Sequence, residues 1–207
     1  MPSDTKGVGN QLWTDDKLID FLKPGKEQES KLASQLSQLP AGTSGLLIVP
    51  SNQYSIIPRA VMEYFSQKNI PGVYVCVNRP YLDLVRGNNP SSGIKFVDVV
   101  TALTGKELTE LPNVQYLDSP LALVEMDMAI SENMQNIASN QKFLFVDSVS
   151  TLLVYNSPQA VEKFCHTIIS KNRNASTLVI LLALDTVEHK NVLDSLHQFV
   201  DQSIVLH

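Results

Sequence analysis

Short continuous apolar runs bounded by turn-forming residues alternate along this chain with longer segments in which apolar positions recur every three or four residues. Runs of the first kind suit strands covered on both faces, and segments of the second kind suit the covering helices. Gly45–Pro50, Gly72–Asn78, Lys142–Asp147 and Thr177–Leu184 read as central strands, with Asn113–Asp118 and Ser203–His207 shorter and more peripheral. Helices are expected over Ile57–Lys68, Pro120–Ile137, Ser157–Lys171 and Val187–Val200. Ser157-Pro158 supplies a capping hydroxyl followed by proline at the first helical position. Strand–helix alternation with short connections implies right-handed crossovers. The expected fold class is therefore α/β, a three-layer sandwich around a mostly parallel central sheet.

The start of the chain has a different pattern. After a polar stretch, residues 1–12, expected to be flexible, Trp13–Leu22 and Glu27–Leu39 read as two helices separated by Lys23-Pro24-Gly25. Residues 13–40 would form a helical appendage, packed on the domain 41–207 or on a neighbour. Gly87-Asn-Asn-Pro-Ser-Ser-Gly93 reads as an exposed loop. Met126, Met128 and Met134 on the Pro120–Ile137 segment read as core filler.

Composition narrows the function classes. With 207 residues, 43% hydrophobic and 18% charged, the chain can bury a single core, which excludes disordered and collagen-like readings. A net charge of −5 without a basic stripe argues against nucleic acid as a partner. No apolar run approaches the ~18 residues that span a bilayer, so a membrane is not expected and the localisation is read as cytoplasmic. Cys76 and Cys165 fit buried, reduced thiols. His166, His189 and His197 lack metal-ligand spacing, and Asp147-Ser-Val-Ser-Thr lacks the glycines of a nucleophile elbow.

Ligands of open parallel sheets bind beyond the carboxyl ends of the strands. Gly45-Leu-Leu-Ile-Val running into Pro50-Ser-Asn-Gln-Tyr-Ser55 and a helix has the layout of a phosphate-binding loop. Together with Pro71-Gly-Val-Tyr-Val, Phe143-Leu-Phe-Val-Asp147-Ser-Val-Ser-Thr-Leu-Leu-Val-Tyr155 and Phe199-Val-Asp-Gln-Ser-Ile-Val-Leu206, it resembles the RecA-like ATPases of the KaiC-like type found in archaea. The resemblance covers residues 45–207. It implies a P-loop NTPase fold, with Asp147 at the position that holds magnesium through water. The family's GxxxxGK[ST] loop falls on Pro50–Ser55, with Gln53 at the last glycine, Tyr54 at the lysine and Ser55 at the serine or threonine.

The loop here departs from that pattern. Glycines let consecutive N–H groups turn toward phosphate oxygens, and a lysine offsets their charge; neither is present. Where the resemblance implies an acidic base on the attacking water, the chain has Asn78-Arg79-Pro80-Tyr81. Ser51, Asn52, Gln53, Tyr54, Ser55 and Asp147 thus outline a degenerate nucleotide site, with no catalytic residue and no metal ligand assigned. Asn78, Arg79 and Tyr81 are candidate interaction residues. The expected function is a catalytically degenerate domain serving as a regulatory or scaffolding subunit, with no cofactor expected. Its partner would be a protein, either an active RecA-like ATPase or another copy of itself. The alternative is a nucleotide-binding ATPase in which Ser51, Asn52, Gln53 and Ser55 donate from a non-standard loop around ATP and magnesium.

Overall fold

The computed structural model describes residues 25–105, 107–173 and 176–206. The helix expected over Trp13–Leu22 lies outside them. The described elements run α1 (Lys26–Ser37), β1 (Ser44–Val49), α2 (Ile57–Gln67), β2 (Gly72–Cys76), α3 (Tyr81–Leu84), β3 (Ile94–Asp98), β4 (Val114–Tyr116), α4 (Leu123–Gln135), β5 (Lys142–Asp147), α5 (Val149–Tyr155), α6 (Pro158–Arg173), β6 (Thr177–Leu184), α7 (Lys190–Leu196) and β7 (Gln202–Val205). The seven strands form one sheet in the order β4-β3-β2-β5-β6-β1-β7, with every pair parallel. Helices cover both faces, so the three-layer α/β sandwich expected from the apolar runs is the fold observed.

Alternation along the buried strands sends successive side chains to opposite faces and creates two cores of different character. Leu46, Ile48, Leu144, Val146, Val179 and Leu181 meet α4, α5, α6 and α7 in a mainly aliphatic core. Leu47, Val49, Tyr74, Phe96, Phe143 and Phe145 meet α1, α2 and α3 in an aromatic one. There Phe65 stacks on Phe143 with ring centroids 3.9 Å apart. This packing requires glycine at position 72, where a Cβ would stand 2.2 Å from the Phe143 carbonyl oxygen. Leu32 and Leu36 of α1 are buried in the same aromatic core, in contact with the α2 layer.

Two elements depart from the sequence expectation. Ile94–Asp98, left unassigned beside the 87–93 loop, is an interior strand between β2 and β4. Val149–Tyr155, for which the sequence pattern predicts no element, is a helix, started by Ser148, whose Oγ accepts from the Thr151 N–H at 3.3 Å. Two smaller corrections concern the helices. Val187–Val200 divides into a single 3₁₀ turn and the shorter α7. Met126 and Met134 fill core, but Met128 points outward and is exposed.

Topology fixes where a site can form. After β2 the chain passes to the aromatic face through α3, whereas after β5 it passes to the aliphatic face through α5 and α6. Adjacent parallel strands whose connections leave in opposite directions open a crevice at their carboxyl ends. β2 and β5 are such a pair, and Asp147 ends β5 at that point.

Candidate functional site at the carboxyl ends of β1, β2 and β5

Asp147 continues the face of β5 that carries Phe143 and Phe145, so its side chain enters the aromatic layer and is buried. Each carboxylate oxygen accepts one phenolic hydrogen bond. Tyr54 Oη donates to Oδ1 at 2.9 Å, and Tyr74 Oη donates to Oδ2 at 2.9 Å. Tyr74 comes from the middle of β2, in register with Phe145, while Tyr54 reaches over from the loop after β1. β6 lies between β1 and β5, so the Tyr54 bond ties the loop to a strand two positions away.

Electrostatics follow from burial. Desolvation raises the Asp147 carboxyl to about 6; the hydrogen bonds from Tyr74 and Tyr54, and then the Arg79 guanidinium, pull it back down without offsetting burial. Burial and the adjacent Asp147 charge push both phenols upward, so Tyr54 and Tyr74 stay protonated and act as donors. The Ser148 and Thr151 hydroxyls also face the Tyr54 oxygen. Ser148 Oγ and Thr151 Oγ1 are 3.1 Å apart, and Thr151 Oγ1 donates to Asn78 Oδ1 at 3.4 Å. The Asp147 carbonyl accepts from the Val77 and Asn78 N–H groups at 2.7 and 3.0 Å, which holds the end of β2 against β5. The peptide joining Asp147 to Ser148 is cis.

The loop after β1 is a run of tight turns. Gln53 N–H donates to the Pro50 carbonyl at 3.0 Å, and the Ile56 and Ile57 N–H groups both donate to the Gln53 carbonyl, at 3.0 and 3.2 Å. These amides are satisfied within the loop instead of converging on an anion. Ser51, Asn52 and Ser55 are exposed, whereas the Gln53 side chain is buried with its Oε1 unpartnered.

Of the nucleotide-site candidates, the fold therefore brings Tyr54 and Asp147 together and leaves Ser51, Asn52 and Ser55 at the surface. A cation at Asp147 Oδ1 would compete with the Tyr54 hydroxyl, and no lysine stands in the Pro50–Ser55 loop. Among the described residues, no three His, Cys, Asp or Glu side chains cluster as a metal site. Of the candidate interaction residues, Asn78 and Arg79 are half-buried at the crevice. Tyr81 is withdrawn into the core, edge-on to Phe96, with its N–H donating to Asp98 Oδ2 at 2.7 Å.

Tyr74 is the site residue that the sequence reading missed. Its signal was available: a tyrosine inside an otherwise apolar, fully covered strand needs a partner for its hydroxyl.

No helix among the described residues is long and apolar enough to cross a membrane. No family model matches the sequence, and no curated protein sequence matches it. Two solved structures from Pyrococcus horikoshii are similar to it. The KaiC-like protein PH0186 from strain OT3 has 14% identity and a TM-score of 0.46, over 70% of this chain and 62% of that one. The uncharacterized protein PH0321, solved in complex with an unknown peptide, has 14% identity and a TM-score of 0.62, over 86% of this chain and 82% of that one. At that identity, what this chain shares with PH0321 is its fold.

Proposed function

We propose that this chain is a RecA-like domain of the KaiC-like type whose nucleotide site is closed, and that it works through protein contact as a regulatory or scaffolding subunit. The observation that carries this reading is the 2.9 Å hydrogen bond from Tyr54 to Asp147. Tyr54 stands where the family resemblance implies the phosphate-binding lysine, and its phenol occupies the carboxylate that the resemblance assigns to magnesium. The bonding of the Gln53, Ile56 and Ile57 N–H groups within the loop supports the same reading, because a phosphate cradle depends on N–H groups turned toward the anion.

Thermal unfolding followed during a titration with ATP and magnesium tests the reading. A ligand at 100 times its Kd stabilises the native state by about 2.7 kcal/mol. The expected result is no shift in Tm at millimolar ATP. A saturable shift, or magnesium-dependent ATP hydrolysis abolished by Asp147→Ala, would overturn the closed-site reading in favour of an active ATPase with a non-standard loop.

A further inference from the structure

The acids that follow the ends of β2, β3 and β5 already have their donors. Asp147 accepts from Tyr54 and Tyr74, and Asp98 accepts from the N–H groups of Tyr81, Val100 and Thr101. Asp83 of α3 accepts from Arg86 at 2.9 Å. Elsewhere Arg173 pairs with Asp201 at 3.2 Å, and Arg59 stands exposed on α2. Arg79 differs from all of these. It is half-buried, and among the described residues no acceptor lies within hydrogen-bond distance of its guanidinium. Asp147 feels its charge, but both carboxylate oxygens are occupied by the phenols. A guanidinium partly withdrawn from water with its five N–H donors unfilled calls for an acceptor.

Asn78 adds a second donor at the same crevice. Its Oδ1 accepts from Thr151 Oγ1 at 3.4 Å, and its Nδ2 has no partner among the described residues. The backbone that carries the two side chains is fixed on both sides. Asn78 N–H donates to the Asp147 carbonyl at 3.0 Å, and Pro80, with φ −53°, restricts Arg79 to extended geometry. Both residues therefore stand preordered beyond the carboxyl ends of β2 and β5, where ligands of open parallel sheets bind. This is the position at which the family resemblance implies an acidic base, so the charge there is reversed in this chain.

We propose that Arg79, assisted by Asn78, forms a binding site for a single carboxylate at the crevice between β2 and β5, with the planar guanidinium taking both carboxylate oxygens. The charge balance selects the ligand. Arg79 brings one unpaired positive charge and Asp147 stands behind it, so one negative charge is matched, whereas the several charges of a polyphosphate are not. The carboxylate has two sources, an acidic side chain of a partner protein or a small free acid, and the test separates them. The site goes beyond the closed nucleotide site and does not require Tyr54 to move.

NMR titration of the isotope-labelled full chain with sodium acetate, followed at the Arg79 side-chain N–H and the Asn78 backbone N–H, tests the site. A saturable shift is expected with acetate and none with sodium chloride at equal ionic strength. Arg79→Ala should abolish the shift at Asn78. Arg79→Lys keeps the charge without the fork and should weaken binding by about ten-fold, the loss of one charge-assisted hydrogen bond. An unchanged Tm in Arg79→Lys separates lost binding from lost folding. An end-blocked peptide with a single glutamate forms the second arm: tighter binding than acetate assigns the carboxylate to a protein partner, and weaker binding assigns it to a free acid. No saturable shift with either carboxylate, tighter binding of inorganic phosphate than of both, or a shift at Asn78 that survives Arg79→Ala overturns the inference. Those outcomes leave the closed nucleotide site standing, because that reading is decided by ATP and magnesium.

Discussion

Asp98 and Asp147 stand level with one another on either side of β2, each in register with Cys76. Both end parallel strands, and both are buried. They differ in what the chain supplies to them. Asp98 accepts from the N–H groups of Tyr81, Val100 and Thr101 at 2.7, 2.9 and 2.9 Å, and from Thr101 Oγ1 at 2.6 Å. Among the described residues, the Asp147 side-chain oxygens accept from two phenols. Backbone donors cannot leave without unmaking a turn, so Asp98 is part of the frame. Tyr74 is fixed in the buried strand β2, whereas the Tyr54 phenol sits on a rotatable side chain at the edge of an exposed loop, so one of the two groups that hold Asp147 can move. Identical residues at equivalent strand ends thus have different roles, set by the segments that follow β1, β2 and β3.

The contrast can be broken by mutation. Asp98→Ala orphans three N–H donors and one hydroxyl, and is expected to lower unfolding stability by about 4 kcal/mol in urea denaturation. Asp147→Ala orphans two phenols, one of them within reach of water, and should cost about 2 kcal/mol. Equal losses at the two sites would refute the distinction.

The pH dependence sharpens it. The folded-state value of about 6 for Asp147 lies above the ordinary aspartate value near 3.9, so between those limits the native state holds more protons than the unfolded chain. The stabilising contribution of this group is therefore complete below pH ~4 and is lost as pH rises through ~6, with a total of roughly 3 kcal/mol. Stability of the native chain measured against Asp147→Asn should fall across that window and level off above it. A flat difference would mean that the carboxyl titrates normally.

The smallest effects separate the two phenols. Tyr74→Phe removes a donor with no access to water and should cost about 2 kcal/mol, whereas Tyr54→Phe should cost about 1 kcal/mol because water can replace the half-buried hydroxyl. Both should push the Asp147 carboxyl further upward, which carboxyl-carbon NMR titration would read directly.

β5 and β6 were legible in the sequence to the residue, because a strand buried on both faces must be a continuous apolar run. β3 was obscured because Ile94-Lys-Phe-Val-Asp98 is short, is broken by Lys95 and follows a turn-rich stretch. Its burial comes from β2 and β4 on either side. α5 was obscured for the opposite reason. Val149-Ser-Thr-Leu-Leu-Val-Tyr155 is rich in residues that favour strands, and the Ser148 cap with the packing of Val149 and Leu152 overrides that preference. Met128 was assigned to the core with its neighbours because spacing alone does not say which side of a helix meets the sheet.

Local chemistry along the chain was enough to establish the layered α/β class, the departure of the Pro50–Ser55 loop from a phosphate-binding pattern, and Asp147 as the acid ending β5. Those properties depend on side-chain type and near-neighbour spacing, which a linear chain carries. Strand order, the alignment of Asp98 and Asp147 around Cys76, and the convergence of Tyr54 and Tyr74 on one carboxylate depend on contacts between residues far apart in sequence. Tyr54 and Asp147 are 93 positions apart, and they meet because the crossovers place β6 alone between β1 and β5.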